Sequence, residues 1–192
     1  MRKLLASALL FAATAASSRA EASHSASTFA LAIDAEIQNV EGQFVAIAEA
    51  MPEGKFDYSP ETLNLPGSDF HGVRTFAAQV KHVAADNFSI WAPIAGKPEA
   101  PNLHAPNGPP EMKSRAEILK FLKDSFAYSH EAARNLTSEN ALKVVDFRGS
   151  RVTQLSLVVL ALTHVNDHYG QLVEYVRFCG LVPPGSRPMK MP

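Results

Sequence analysis

The chain has 192 residues, of which 46% are hydrophobic and 19% charged, and its formal net charge is -1. This composition is that of a globular protein with one well-filled core, and the length is short for two domains. The near-neutral charge and the lack of basic runs give no reason to expect nucleic acid or an anionic membrane as a partner. A single cysteine, Cys179, excludes an internal disulfide.

The first 22 residues have the plan of a secretory signal peptide. Arg2 and Lys3 give a positive start, an apolar stretch runs from Leu4 to Ala16, and small residues follow. That stretch is short for a membrane span. We therefore expect an exported protein, in a bacterial periplasm, with no membrane contact after signal cleavage and a mature domain at residues 23–192. An anchoring N-terminal helix is the alternative.

Four segments of the mature chain have the apolar periodicity of amphipathic helices, and strand-like alternation is nearly absent. The first covers about residues 27–51. The second covers about residues 73–91, and Pro93 and Gly96 are expected to end it. The third opens with a capping-box pattern at Ser114. The fourth begins near Thr153, and Gly180 is placed to end it in a left-handed conformation.

The connections between these segments favour a particular topology. Five prolines fall within residues 98–110, between the second and third helices. So long a link is unusual between adjacent antiparallel helices and suits a crossover. A second connector, residues 136–151, could form a small extended turn around Arg148 and Gly149. The sequence therefore predicts an all-α fold, a four-helix bundle with a long crossover connection between helices 2 and 3.

Two histidines, His164 and His168, interrupt the apolar face of the fourth helix. Residues four apart share a face of a helix, so both rings could reach one ion. The face as a whole reads Leu157, Ala161, His164, His168, Gln171, Tyr175. A buried imidazole without a partner is costly, which makes a metal ion an obvious partner for the pair. His82, in the middle of the second helix, is the candidate for a third ligand.

Better-known metal sites do not fit these histidines. A zinc-protease helix carries Glu directly after its first His, and Val165 stands there. A carboxylate-bridged di-iron bundle needs Glu three residues before His on two helices. Gln79, Ala161 and Val165 occupy the positions three before the three candidates. The spacing of the pair alone remains weak evidence, since it also arises by chance.

The last helix resembles that of the DinB-like (DinB/YfiT) family. The resemblance lies in a His-x3-His-x-Gly-Gln pattern beginning at His164, followed by Tyr175, Arg177, Gly180 and prolines. Residues 76–84 and 113–128 resemble the second and third helices of that family. The resemblance implies a four-helix bundle with an unusual crossover. It also implies one divalent metal ion on three histidines, matching His82, His164 and His168 here.

Family members with known activity include thiol-dependent transferases and isomerases. By resemblance we expect a metal-dependent enzyme of hydrolase or transferase type, using Zn, Ni or Fe on a small-molecule substrate. The alternative is a non-catalytic module in which the ion is structural. Four further residues are candidates for the pocket or for orienting a ligand ring: Asp86, Asp167, Gln171 and Tyr175. A homodimer is possible.

Overall fold

A computed structural model describes residues 27–98 and 106–188. These residues contain four α-helices and one two-stranded antiparallel sheet: α1 (Thr28–Ala50), α2 (Phe76–Ala95), α3 (Arg115–Ala133), β1 (Val144–Phe147), β2 (Ser150–Thr153) and α4 (Gln154–Phe178). The expected mostly helical fold with four helices is therefore confirmed. The predicted signal peptide, residues 1–22, lies outside the described residues. No described helix is both long and apolar enough to cross a membrane.

Each helix buries an apolar stripe against two neighbours. Helix α2 packs against α3 and α4, and α1 packs against the same two helices. Their shared core contains Trp91, Phe44, Phe126, Leu122 and Leu157, each of which is almost fully buried. Helix α2 is buried on most of its surface, so side chains on its α4 side lie deep in the protein. The arrangement as a bundle with a crossover stays a prediction.

Side-chain caps begin the helices where the sequence places them. Ser114 and Glu117 form the expected capping box at the start of α3, and Thr153 caps α4. Gly180 follows α4 with a φ of +74°, the left-handed conformation expected of it. Helix α2 ends at Ala95 with Gly96 as its left-handed cap, as expected, but it continues through Pro93, where the sequence also predicted an end. Pro93 lies in the final turn, where losing one backbone hydrogen bond costs little and buried residues continue the packing.

The sheet is a hairpin whose two-residue loop is Arg148-Gly149. Both loop residues have positive φ, +49° at Arg148 and +78° at Gly149. Such loops match the twist of the strands and favour Asn-Gly, because a side chain beyond Asn is strained in this region. Placing Arg148 there costs about 1–2 kcal/mol. The extended turn predicted here is present, and it carries a residue that its backbone disfavours.

The end of the proline-rich link is held against α2. Lys81, a buried residue of α2, donates from Nζ to the carbonyl oxygens of Pro109 at 2.9 Å and Met112 at 3.3 Å. At Gly108 the link touches α2 so closely that an added Cβ would lie 2.7 Å from Lys81 Cβ. The link therefore packs directly on the turn of α2 that carries His82.

Candidate metal centre

Three imidazole rings from two helices converge between α2 and α4. His82 comes from α2, and His164 and His168 come from successive turns of α4. The ring centroids lie 4.6–5.0 Å apart, and one ligand atom from each ring lies within 4.8 Å of the other two. A shared ion at about 2.0–2.1 Å from each nitrogen requires ligand atoms about 3.3 Å apart in a tetrahedral site. Small side-chain rotations bring the rings to that spacing, so the group could hold a metal ion.

All three rings are held in the neutral form that metal binding needs. Burial lowers the pKa of His82 to about 4, and the positive charge of Arg74 adds to the effect. Burial also lowers the pKa of His168 to about 4, with the other two rings contributing. The pKa of His164 is lowered by burial despite the nearby Asp86 carboxylate. Near neutral pH each ring therefore has one unprotonated nitrogen, whose lone pair can bind a metal ion.

A comparison with His130 shows how unusual this cluster is within the described residues. His130 has both ring nitrogens paired, Nδ1 with Asp34 at 2.7 Å and Nε2 with Glu41 at 3.0 Å. In contrast, Nδ1 of His164 and Nδ1 of His168 are buried with no hydrogen-bond partner among the described residues. Buried polar atoms are normally paired, so these two nitrogens are exceptions. In His164 the unpaired nitrogen is not Nε2, which faces His82, so the evidence for an ion is the convergence of three neutral imidazoles.

Asp86 lies on the same side of the rings as their facing nitrogens. One turn after His82 on α2, it places Oδ2 at 3.3 Å from His164 Nε2 and 3.8 Å from His82 Nε2. Its side chain is only 17% exposed. From the sequence, Asp86 was a candidate for orienting a ligand ring. That role would require a contact with the ring nitrogen that does not bind the metal. The structure instead places the carboxylate beside Nε2, where the rings meet.

The other three candidates are also on α4: Asp167 directly precedes His168, and Gln171 and Tyr175 follow it. Asp167 is exposed and accepts a 2.9 Å hydrogen bond from Gln171 Nε2. Gln171 also accepts a 2.7 Å hydrogen bond from Gln79 Nε2, which ties α4 to α2. Tyr175 is buried and donates from its hydroxyl to the backbone oxygen of Arg74 at 2.9 Å. These contacts fix the helices and the segment before α2, at one remove from the rings.

Two arginines at the site were not identified from the sequence. Arg74 donates to the Pro106 carbonyl and to Asn107 Oδ1, and its charge lowers the pKa of all three rings. Arg148 Nη2 donates to Asp86 Oδ1 at 2.6 Å and to Ser89 Oγ at 3.0 Å. Arg74 precedes a helix and has no local signature. The signal for Arg148 was its place before glycine in a tight hairpin turn.

Arg74 also lines a cavity of about 590 Å³ between the start of α2 and the end of the proline-rich link. Lys81 and Lys113 add positive charge to its wall, and Asp57 adds one carboxylate. The three histidines are not among its lining residues. Arg74 therefore links the cavity to the histidine cluster, because it lines the cavity and its positive charge lowers the pKa of the three rings.

Comparison with known proteins agrees with the architecture. A family model described as the DinB superfamily matches residues 36–172. A crystal structure of a DinB-like protein from Bacillus cereus ATCC 10987 is similar, with 16% sequence identity and a TM-score of 0.55. The alignment covers 83% of this chain and 95% of that one. A search of curated proteins returned no match. At this identity the structural likeness bears on the fold alone.

Proposed function

The chain belongs to the DinB superfamily, and we propose that it is a metal-dependent enzyme whose single divalent ion is held by His82, His164 and His168. The observation that carries the proposal is the convergence of three neutral imidazoles from two helices. The proposed fold is the four-helix bundle of this family, with residues 96–114 as the crossover between α2 and α3. Zinc, nickel and iron all suit imidazole ligands.

The ion would supply a Lewis acid that polarises a substrate oxygen or activates bound water, which points to hydrolase or transferase chemistry. The residues around the ion would keep its ligands neutral and set the charge of the site. Burial between α2 and α4 keeps the rings deprotonated and excludes bulk water from their far sides. The guanidinium of Arg74, held by Pro106 and Asn107, contributes a positive charge that lowers the pKa of the rings.

A small molecule with a negative group is the substrate class that suits this surface. Arg74, Lys81 and Lys113 border the cavity next to α2, and its volume matches that of a small-ligand site. A carboxylate or phosphate is attracted by these cations, and Arg74 could donate to it from the part of the guanidinium that Pro106 and Asn107 do not occupy. We place neither nucleic acid nor membrane among the partners, and a homodimer is compatible with the proposal.

A structural ion is the second candidate. It is favoured by the origin of the ligands on two helices that pack together, because an ion would then fasten α2 to α4. A structural site is closed by protein ligands, whereas a catalytic site keeps a position for an exogenous ligand. The two candidates therefore differ in whether a small anion can reach the ion.

That difference can be tested without knowing the substrate. Cobalt(II) is loaded into the metal-free protein, and its visible absorption is followed while azide is added. An enzyme site is expected to give a saturable spectral change. No change, together with a large metal-dependent rise in Tm, would favour the structural ion. Screening ester, phosphoester and thiol-transfer substrates with loaded protein and with His168→Ala then searches for the reaction.

We also propose that the chain is exported to the periplasm. The support is the positive start and apolar stretch of residues 1–22. Expression in a Gram-negative host followed by fractionation and N-terminal sequencing tests it. Mature protein beginning near residue 21–23 in the periplasmic fraction is expected, and a full-length cytoplasmic product would contradict it. A periplasmic location disfavours a cytosolic thiol cofactor.

A further inference from the structure

Asp86 occupies the place of a ligand rather than that of a supporting residue. Its Oδ2 atom lies 3.3 Å from His164 Nε2, which matches the separation of about 3.3 Å between neighbouring ligand atoms on one tetrahedral ion. The facing Nε2 atoms of His82 and His164 are 3.1 Å apart, close to the same separation. A carboxylate that merely oriented a ring would contact Nδ1.

The hairpin supplies an independent observation about the same carboxylate. Arg148 has a strained positive φ, at a turn position that favours Asn or Gly. From that position its guanidinium stacks on the Phe147 ring and bonds Asp86 Oδ1. Strained residues persist where the surroundings demand them, and they cluster at functional sites. The strained position brings the Arg148 guanidinium to the Asp86 carboxylate, which lies 3.3 Å from His164 Nε2.

We propose that Asp86 is the fourth protein ligand of the ion, through Oδ2, and that Arg148 is a positioning residue that holds this carboxylate in place. The inference rests on the proposed function, since it presumes that the three histidines bind a metal. It adds a charged ligand, and it makes the β1–β2 hairpin the element that positions this ligand. Asp86 would bind the ion through Oδ2 while Oδ1 accepts the hydrogen bond from Arg148.

A three-histidine, one-carboxylate site has chemical consequences. One negative charge reduces the net charge of the divalent site to +1, which strengthens metal retention compared with three neutral ligands. Four protein ligands would fill a tetrahedral zinc site, so substrate or water would bind only as a fifth ligand, and catalytic zinc sites do expand to five-coordination. An azide adduct of the cobalt(II) form is then expected to be five-coordinate, whereas no azide binding would mark the four-ligand ion as structural.

The test measures zinc affinity by competition with a chromophoric chelator, together with the visible spectrum of the cobalt(II) form. Wild type, Asp86→Asn and Asp86→Ala are compared with Asp167→Asn, which removes an exposed carboxylate from α4 next to His168. Loss of a supporting residue typically weakens metal binding about 10–100-fold. We expect both Asp86 variants to bind zinc at least about 100-fold more weakly and to show an altered cobalt spectrum. Asp167→Asn is expected to match wild type.

Each contrary result has a distinct meaning. Zinc affinity of the Asp86 variants within about threefold of wild type would overturn the inference. So would weaker affinity with an unchanged cobalt spectrum, because Asp86 would then only support a ring. Wild type that binds no zinc at all would overturn the proposed function and this inference with it. Circular dichroism and the Tm of the metal-free variants establish that each is folded.

The variant Arg148→Ala distinguishes two effects of Arg148 on metal affinity: its positioning of Asp86 and its positive charge near the ion. Removing a positive charge near a cation should tighten metal binding if charge were its only influence. Positioning through Asp86 predicts the opposite, a loss of about 10-fold. The double variant Asp86→Asn/Arg148→Ala should then bind no more weakly than Asp86→Asn, because the two residues act as one unit. Tighter binding by Arg148→Ala, or additive losses, would overturn the positioning role.

Discussion

His82 Nε2 on α2 and His164 Nε2 on α4 lie 3.1 Å apart, although 82 residues separate them in sequence. Both rings are kept neutral by burial, so at most one of the two nitrogens can donate a hydrogen bond to the other. A cation between the two would satisfy both lone pairs at once. This relationship is why we place the proposed metal site at the joint between α2 and α4.

Acid should destabilise the metal-free protein earlier than it does an ordinary helical protein. The folded pKa of His168, about 4, lies below the 6.5 of an unfolded chain, so the unfolded state binds more protons between those values. Stability present above pH 6.5 is therefore lost as pH falls toward 4, by about 2 kcal/mol at pH 5 for this residue. Chemical denaturation of metal-free wild type and His168→Leu at pH 7.5 and 5 measures it. An equal loss in both proteins would contradict the prediction.

The pair of carboxylates around His130 should give the opposite pH dependence in a different range. Burial lowers the pKa of His130, but the hydrogen bonds that its ring donates to the Glu41 and Asp34 carboxylates outweigh burial and raise the pKa above its usual value. Because the folded pKa is raised, the stabilisation is present below pH 6.5 and is lost as pH rises through the folded pKa. We expect the Tm of wild type to fall between pH 6.5 and 8.5. His130→Gln should abolish most of that fall, and an unchanged slope would refute the assignment.

Gly108→Ala should be among the most destabilising single-methyl changes in the chain. Gly108 has a φ of +66°, and its added Cβ would meet both the side chain and the backbone of Lys81 at 2.7 Å. Backbone atoms of a packed helix cannot yield, so the link must move off α2. We expect a loss of about 2–4 kcal/mol in free energy of unfolding. Gly42→Ala, at an open helical position, is the control, and should be neutral or stabilising.

The sequence predicted the helices because their signals are local. Apolar periodicity set the four segments, Ser114 and Glu117 marked the start of α3, and a glycine marked the end of α4. Pro93, which was expected to help end α2 and instead lies inside its last turn, shows the limit of a local rule. Proline disrupts a helix interior, yet in the last turn tertiary packing of Ile94 outweighs its cost.

The histidines could be found from the sequence and the groups around them could not. His164 and His168 stand out because one face of a helix changes from apolar to polar at that point. Arg148 reaches the site only through the hairpin, and Arg74 only through the fold of the segment before α2. Contacts between distant segments leave no periodic trace. For the same reason, the direction in which Asp86 points became clear only from the structure.

The central claim is that three histidines bind one divalent ion, and metal content tests it most directly. Protein purified without a His tag is incubated with zinc, nickel or iron, freed of unbound metal and measured by mass spectrometry. The account predicts one ion per chain in wild type and in His71→Ala, whose side chain is 90% exposed and does not belong to the three-histidine cluster. It predicts loss of the ion in His164→Ala. Wild-type protein that retains no metal, or His164→Ala that retains as much as wild type, would contradict it.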